Sequence, residues 1–348
     1  LMKPISFIQS SSPIDEIIRL ADYTVKHIWY ISESRSFNEI NFLPHQYCQL
    51  SKHIYSTIVP KISNRTDKLL IMSHCSELNR LHSLLDEICR HDFIEIPRSS
   101  RKHAQVYLEK QIKNYINNDS SLKSVSISQL EQEITDRQNL IKYLKEVYKK
   151  KQMKYVDLLS LVHVILDREV ASFQKIKNEI DKKLSSSSLR DKKSVDKPSI
   201  LILGEFWCEE IIVILEKMDE LFEIKKDTFE NGLGFLCQEL KEISIEDLKS
   251  YINFVVLNTI KSKFNPSLLD FKVEEINNLI EQNKIEGIII VNYKFCDVYT
   301  FLAPLIKQIP EFDLPILEIE LESEGLGIEQ VKTRLQAFQE CLLDRREA

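Results

Sequence analysis

No apolar run in this chain approaches the ~20 residues that a bilayer-spanning helix needs, so no membrane span is expected. The N-terminal stretch "LMKPISFIQSSSPIDEII" lacks the long apolar core and small-residue cleavage site of a secretory signal, and a cytoplasmic location is expected. No basic stripe interleaves with aromatics and the formal net charge is −6, which argues against nucleic acid as a partner. Glycine is scarce, at six residues, and no G-x-x-x-x-G-K-[ST] occurs, so the chain has no P-loop of its own for ATP hydrolysis. The seven cysteines include no C-x-x-C pair, which excludes a zinc ribbon or a ferredoxin-type run. An odd number of thiols in an intracellular setting also argues against a disulfide framework. Buried thiols, reactive thiols or metal ligands remain.

What is present is an ordinary globular composition, 43% hydrophobic and 29% charged, in 348 residues, more than one hydrophobic core usually serves. Short apolar runs alternate with amphipathic stretches, which points to an α/β fold of two Rossmann-like, flavodoxin-like parallel-sheet lobes with a helical insert between them. The first lobe, residues 1–125, contains strand candidates at 68–75 ("KLLIMSHC") and 92–98. A helical segment, 126–185, starts at Ser128 with Glu131 as a capping-box partner and carries Leu130, Ile134, Ile141 and Leu144 at helical spacing. The polar run "SSSSLRDKKSVDKP" supplies a linker at 186–198. The second lobe, 199–348, has strand candidates at 199–205, 285–295 and 314–322, and "YINFVVLN" is of ambiguous type. It closes with an amphipathic helix marked by Ile328, Val331, Leu335, Phe338 and Leu342. No internal repeat is found.

Three cysteines share one kind of address. Cys75 follows the strand "KLLIM" and precedes a helix with Leu78, Leu81, Leu85 and Ile88 on one face. Cys296 follows "IIIV" and precedes Asp297, a good helix cap. Cys48 lies four residues after Pro44 at the start of "QLSKHIYSTIV". Ligands of open α/β sheets gather beyond the carboxyl ends of strands, where helix N-termini present unpaired N–H groups and the positive end of the helix dipole favours thiolate. Soft thiolates there select iron–sulfur clusters, zinc or copper(I) over hard cations. Spacing alone leaves that choice open.

The stretch "IEGIIIVNYKFCDVYTFLAPLIKQIPEFDLPILEIELE", followed by "TRLQAF" at 333–338, resembles the C-terminal signature of the 2-hydroxyacyl-CoA dehydratase and benzoyl-CoA reductase subunit family. "LPHQYCQLSKHIYSTI" and "DKLLIMSHCSELNRL" occupy the places of that family's first two cysteine segments, although Ser76 stands where the family usually has aspartate. The acidic residue after the last strand, usually aspartate, is Glu320 or Glu322 here. The resemblance implies a 4Fe-4S cluster held by Cys48, Cys75 and Cys296, and low-potential one-electron (ketyl radical) chemistry on an acyl-CoA thioester. It also implies a homologous second subunit and an external ATP-dependent iron–sulfur activator protein. The reaction would be dehydration (a lyase) or aromatic ring reduction (an oxidoreductase). Alternatives are a double-cubane-type reductase, for which Cys208 and Cys237 are the available extra ligands, and a non-catalytic cluster-bearing or scaffold relative.

Other residues have a functional and a plainer reading. His45 and His74 adjoin the first two cysteine segments and could donate protons, although a histidine beside a helix start is more often solvated or capping. Glu205, after a strand, stands in the same position. Cys89 and Cys341 are expected to be packed small hydrophobes, and Cys208 and Cys237 more often buried than ligating. The lysine run at 148–155 is most simply a solvated helix face, with CoA phosphates or an acidic partner as the alternative.

Overall fold

In the computed structural model of the chain, the described residues are 3–8, 12–28, 43–44, 46–62, 67–73, 75–151, 153–168, 173–186, 197–204, 211–229, 232–236, 244–260, 269–309, 314–321 and 327–347. The first part runs β1 (Ile5–Ile8), α1 (Asp15–Leu20), β2 (Thr24–His27), α2 (Gln49–His53), β3 (Lys68–Ser73), α3 (Ser76–Leu85), β4 (His91–Glu95), α4 (Lys102–Asn117) and α5 (Ser120–Lys123). A helical section follows, with α6 (Ile127–Lys151), α7 (Tyr155–Leu166) and α8 (Phe173–Ser186). The last part runs β5 (Ser199–Leu203), α9 (Ile212–Leu221), β6 (Glu223–Asp227), α10 (Leu233–Leu236), α11 (Leu248–Ile260), α12 (Leu269–Asn283), β7 (Gly287–Tyr293), α13 (Asp297–Lys307), β8 (Ile316–Leu321) and α14 (Ile328–Glu347).

The strands form two four-stranded sheets, β2-β1-β3-β4 and β6-β5-β7-β8, and every pairing is parallel. Strands β3, β5 and β7 are buried along their whole length, as strands covered by helices on both faces must be. In β3, Leu69 and Ile71 face one core cluster while Leu70 and Met72 face another, the period-2 alternation of a strand. The expected two-lobe α/β fold is therefore what the chain adopts. Both sheets have the flavodoxin-like order in which the chain reverses direction beside the first strand, leaving a crevice at the carboxyl ends of β1 and β3, and again of β5 and β7.

Several local expectations need correction. "YINFVVLN" lies in helix α11, long enough for a helix and buried on most sides by Tyr251, Ile252, Phe254, Val255 and Val256. That helix packs on α4 and on the first sheet, not on the second: its residues share a core with Ile8, Met72 and Ile112, and the Tyr251 hydroxyl donates to the Pro13 carbonyl at 3.0 Å. Helix α6 begins at Ile127, because the Ser126 carbonyl already accepts from Leu130 N–H; Ser128 is therefore in the first turn and not the cap. Leu130, Ile134, Ile141 and Leu144 are buried as their spacing implies, as are Val331, Leu335, Phe338 and Leu342 of α14. The linker expected at 186–198 falls largely outside the described residues.

A buried ionic hub fastens the helical section to the first lobe. Glu16 on α1 accepts from Arg19 at 2.7 Å, Arg137 at 2.8 Å and Arg168 at 3.1 Å, and Arg168 also bonds Glu133 at 2.9 Å. Beside it, His27 on β2 is held between Asp15 and Asp167, each at 3.0 Å. On the other side, α7 is tied to the second lobe. Tyr155 donates its hydroxyl to Asp227 at 2.7 Å and its N–H to Asp219 at 2.9 Å.

Candidate functional site

Cys48, Cys75 and Cys296 are the N-cap residues of α2, α3 and α13, each with extended backbone. None of the three side chains caps its own helix and none is in a disulfide, so the thiol chemistry is not committed to either use. Cys75 lies two residues after β3 and Cys296 three after β7, the third strands of their sheets, at the carboxyl ends that flank each reversal point. The two lobes thus offer equivalent corners, and each of the three thiols sits at the positive end of a helix. Cys48 and Cys296 are buried in one apolar core and Cys75 is packed against it.

The neighbours of these cysteines touch pairwise around the triangle. The Ser76 hydroxyl, next to Cys75, donates to the Asp297 carboxylate, next to Cys296, at 2.5 Å across the lobes. The Cys48 N–H lies close enough to the carboxylate of Glu77 on α3 to pull its pKa downward. The Lys52 ammonium of α2 stands 5.7 Å from the ring centre of Phe295, the residue before Cys296, and Lys294 lies 5.6 Å from the same ring. Phe295 has a positive φ of 66°, a left-handed conformation that costs a bulky residue energy and that aims the turn from β7 into α13. The Cys48 thiol is 3.5 Å from the hydroxyl of Ser51, which is fully buried one turn along α2.

Glu77 is a site residue that the sequence reading missed. It is buried, its Oε2 has no hydrogen-bond partner among the described residues, and its Oε1 accepts from Arg80 at 2.6 Å. Burial pushes its pKa upward, and the charge of nearby Asp297 adds to that, against the opposing pull of Arg80 and the Cys48 N–H. An acid that holds its proton more tightly than usual, two residues from one of the three cysteines, is suited to proton transfer. Its position two residues after Cys75 was the available signal, but a glutamate in a first helical turn reads equally as a dipole-stabilising residue.

Other sequence candidates sort as follows. His45, His74, Glu205, Cys208, Cys237 and Glu322 lie outside the described residues. Glu320 is exposed on β8, in register with Asn292. Cys89 lies past the end of α3, partly buried against the core, and burial raises its thiol pKa. Cys341 is exposed, contrary to its expected packing: one residue from buried Leu342 is about 100° around a helix, enough to turn it to water. Of the lysine run, the side chains at 149–152 lie outside the described residues; Lys154, between α6 and α7, is exposed, while its neighbours Met153 and Tyr155 are buried.

Among the described residues, no helix is long and apolar enough to cross a membrane. A family model described as 2-hydroxyglutaryl-CoA dehydratase, D-component, matches residues 12–342, nearly the whole chain. No curated protein matches the sequence.

Proposed function

The chain belongs to the 2-hydroxyglutaryl-CoA dehydratase D-component family, and on that premise we propose that it is the iron–sulfur subunit of a 2-hydroxyacyl-CoA dehydratase or a related benzoyl-CoA-reductase-type enzyme. Cys48, Cys75 and Cys296 are the residues that would hold a 4Fe-4S cluster. The observation that supports this reading is the set of contacts between residues adjoining the three cysteines: Ser76 with Asp297, Lys52 with Phe295, and Glu77 beside the Cys48 N–H. The donor set fits: three soft sulfurs at positive helix ends suit an anionic thiolate-bound cluster, and three thiolates leave one iron without a cysteine. When bound, the cluster would supply a single low-potential electron to the acyl thioester, the ketyl-radical route to removing an unactivated hydroxyl or reducing a ring.

The protein's own residues then have separable tasks. Buried Glu77 would hold a proton on Oε2 for the departing hydroxyl, next to the Ser76–Asp297 bridge, which itself faces water. The Ser51 hydroxyl turns its proton toward the Cys48 sulfur when that sulfur is anionic. Lys52 and Lys294, flanking exposed Phe295, offer positive charge to the phosphates of an acyl-CoA. Phe301 and Leu305 form an exposed apolar pair one turn apart on α13, the helix that starts at Cys296, and are suited to a homologous second subunit. With no P-loop in the sequence, electron delivery at such low potential falls to a separate ATP-dependent activator.

Anaerobic reconstitution tests the reading. Purified protein should turn brown with about four irons per chain, and Cys296→Ala should lose or remodel the paramagnetic signal of the reduced cluster while its circular dichroism stays that of the wild type. Colourless, fully folded protein after reconstitution would overturn the assignment and leave the scaffold reading in its place.

A further inference from the structure

At the opposite end of the helix that starts from Cys75 lies a second cluster of ligating groups. His82 and Asp86 are four residues apart, on the last turn and at the C-cap of α3, and His91 opens β4. One ligand atom from each of the three lies within 4.8 Å of the other two, and no other such group occurs among the described residues. His82 Nδ1 is 2.7 Å from His91 Nε2, and Asp86 Oδ1 is 3.6 Å from His91 Nε2 and 3.8 Å from His82 Nδ1.

We propose that His82, Asp86 and His91 bind one divalent cation of the zinc class, pinning the carboxyl end of α3 to the start of β4. Four features support it. Ligands held 2.0–2.2 Å from a tetrahedral ion stand about 3.4 Å from one another, and the two carboxylate spacings are close to that before any ion enters. The short contact between the imidazoles is a hydrogen bond from His82 Nδ1–H to His91 Nε2, a cation would take the place of that hydrogen once His82 carries its proton on Nε2, and opening the pair by about 0.7 Å completes the triangle. His91 donates from Nδ1 to the Cys89 carbonyl at 3.2 Å, which fixes the tautomer with the Nε2 lone pair turned toward the cluster, as in metal-bound histidines. The His82 ring is stacked on Phe93 at 4.0 Å and 8°, which sets its plane.

The macrodipole adds to this. The carboxyl end of α3 is its negative end and favours a cation, just as the amino end favours the Cys75 thiolate. A set of two nitrogens and one oxygen selects zinc, cobalt, nickel or copper(II) over magnesium and calcium, which prefer oxygen alone. His91 is buried while Asp86 faces water, so a fourth position stays open to solvent. An ion here would restrain the helix that carries one of the three clustered thiols, without being part of their site.

Cobalt(II) titration of the full-length chain under anaerobic conditions tests the proposal. One equivalent should bind with visible d–d bands and no thiolate-to-metal charge-transfer band, and this spectrum should persist in Cys296→Ala. Zinc should displace the cobalt. Asp86→Asn, at an exposed position that leaves the fold intact, and His91→Gln should each weaken binding by about tenfold or more. Identical isotherms for wild type and Asp86→Asn, thiolate bands alone, or no cobalt uptake at micromolar concentration would each overturn it.

Discussion

Replacing Glu16 by Gln keeps its shape and removes the one charge that three buried guanidinium groups share. Burial alone would raise the pKa of this carboxyl, but Arg168, Arg19 and Arg137 together lower it from 4.5 to about 2. Glu16 is fully buried, so the shift is not discounted for solvent, and at 1.36 kcal/mol per unit it corresponds to about 3 kcal/mol of stability. That agrees with the 3–5 kcal/mol typical of breaking one side of a buried ion cluster. For a chain of 348 residues unfolding as a unit, the loss lowers the melting temperature by about 4 °C. The sign of the pH dependence follows: the folded pKa is depressed, so the contribution is complete above about pH 4.5 and is lost as pH falls through about 2. The assay is urea unfolding of wild type and Glu16→Gln by far-ultraviolet circular dichroism, at pH 7 and at the lowest pH where both remain folded. A gap of about 3 kcal/mol at pH 7 that narrows in acid is expected. A gap below about 1 kcal/mol, or one independent of pH, would refute the view that this charge anchors the helical section.

His27 behaves oppositely. Burial lowers its pKa, but the Asp15 charge and the hydrogen bonds to Asp15 and Asp167 outweigh that and raise it; its stabilising effect is therefore complete below about pH 6.5 and fades as pH rises through the elevated folded value. The denaturation midpoints of wild type and His27→Gln should accordingly differ most below about pH 6.5 and draw together as the pH is raised, and a constant difference would count against a charged imidazole. Glu77→Gln should keep the iron content and paramagnetic signal of the wild type yet reduce turnover by about 100-fold or more, with loss of one limb of the pH–rate profile; unchanged turnover would remove Glu77 from the proton path.

The parts of the fold legible in the sequence were those whose environment is uniform along their length. β3, β5 and β7 are buried on both faces and read as unbroken apolar runs, and the helices after Cys75 and Cys296 announce themselves by spacing. β2 and β6 went unseen because edge strands carry charge toward water: "TVKH" and "EIKKD" offer four or five residues with lysines among them, and only pairing with a neighbour makes them strands. β1, at four residues, is too short to stand out before its partners are known. In the site, the helix-start address of each cysteine is local and could be read. The approach of Lys52 to Phe295, of Ser76 to Asp297 and of Glu77 to the Cys48 N–H is made by tertiary packing and has no local trace. His82, Asp86 and His91 were hidden for a related reason, because a helix end and the next strand start lie in different registers until the turn between them is built.

The return of α11 to the first sheet limits how the molecule can be divided. Severing the polypeptide ahead of residue 199 would leave the amino-terminal fragment without Tyr251, Phe254 and Val255 against Ile8 and Met72, and would leave the carboxyl-terminal fragment with an oily rod and nothing to lay it on. Neither fragment is then a self-sufficient folding unit. The two sheets are consequently tied by more than one passage of backbone, unlike two beads joined by a single string.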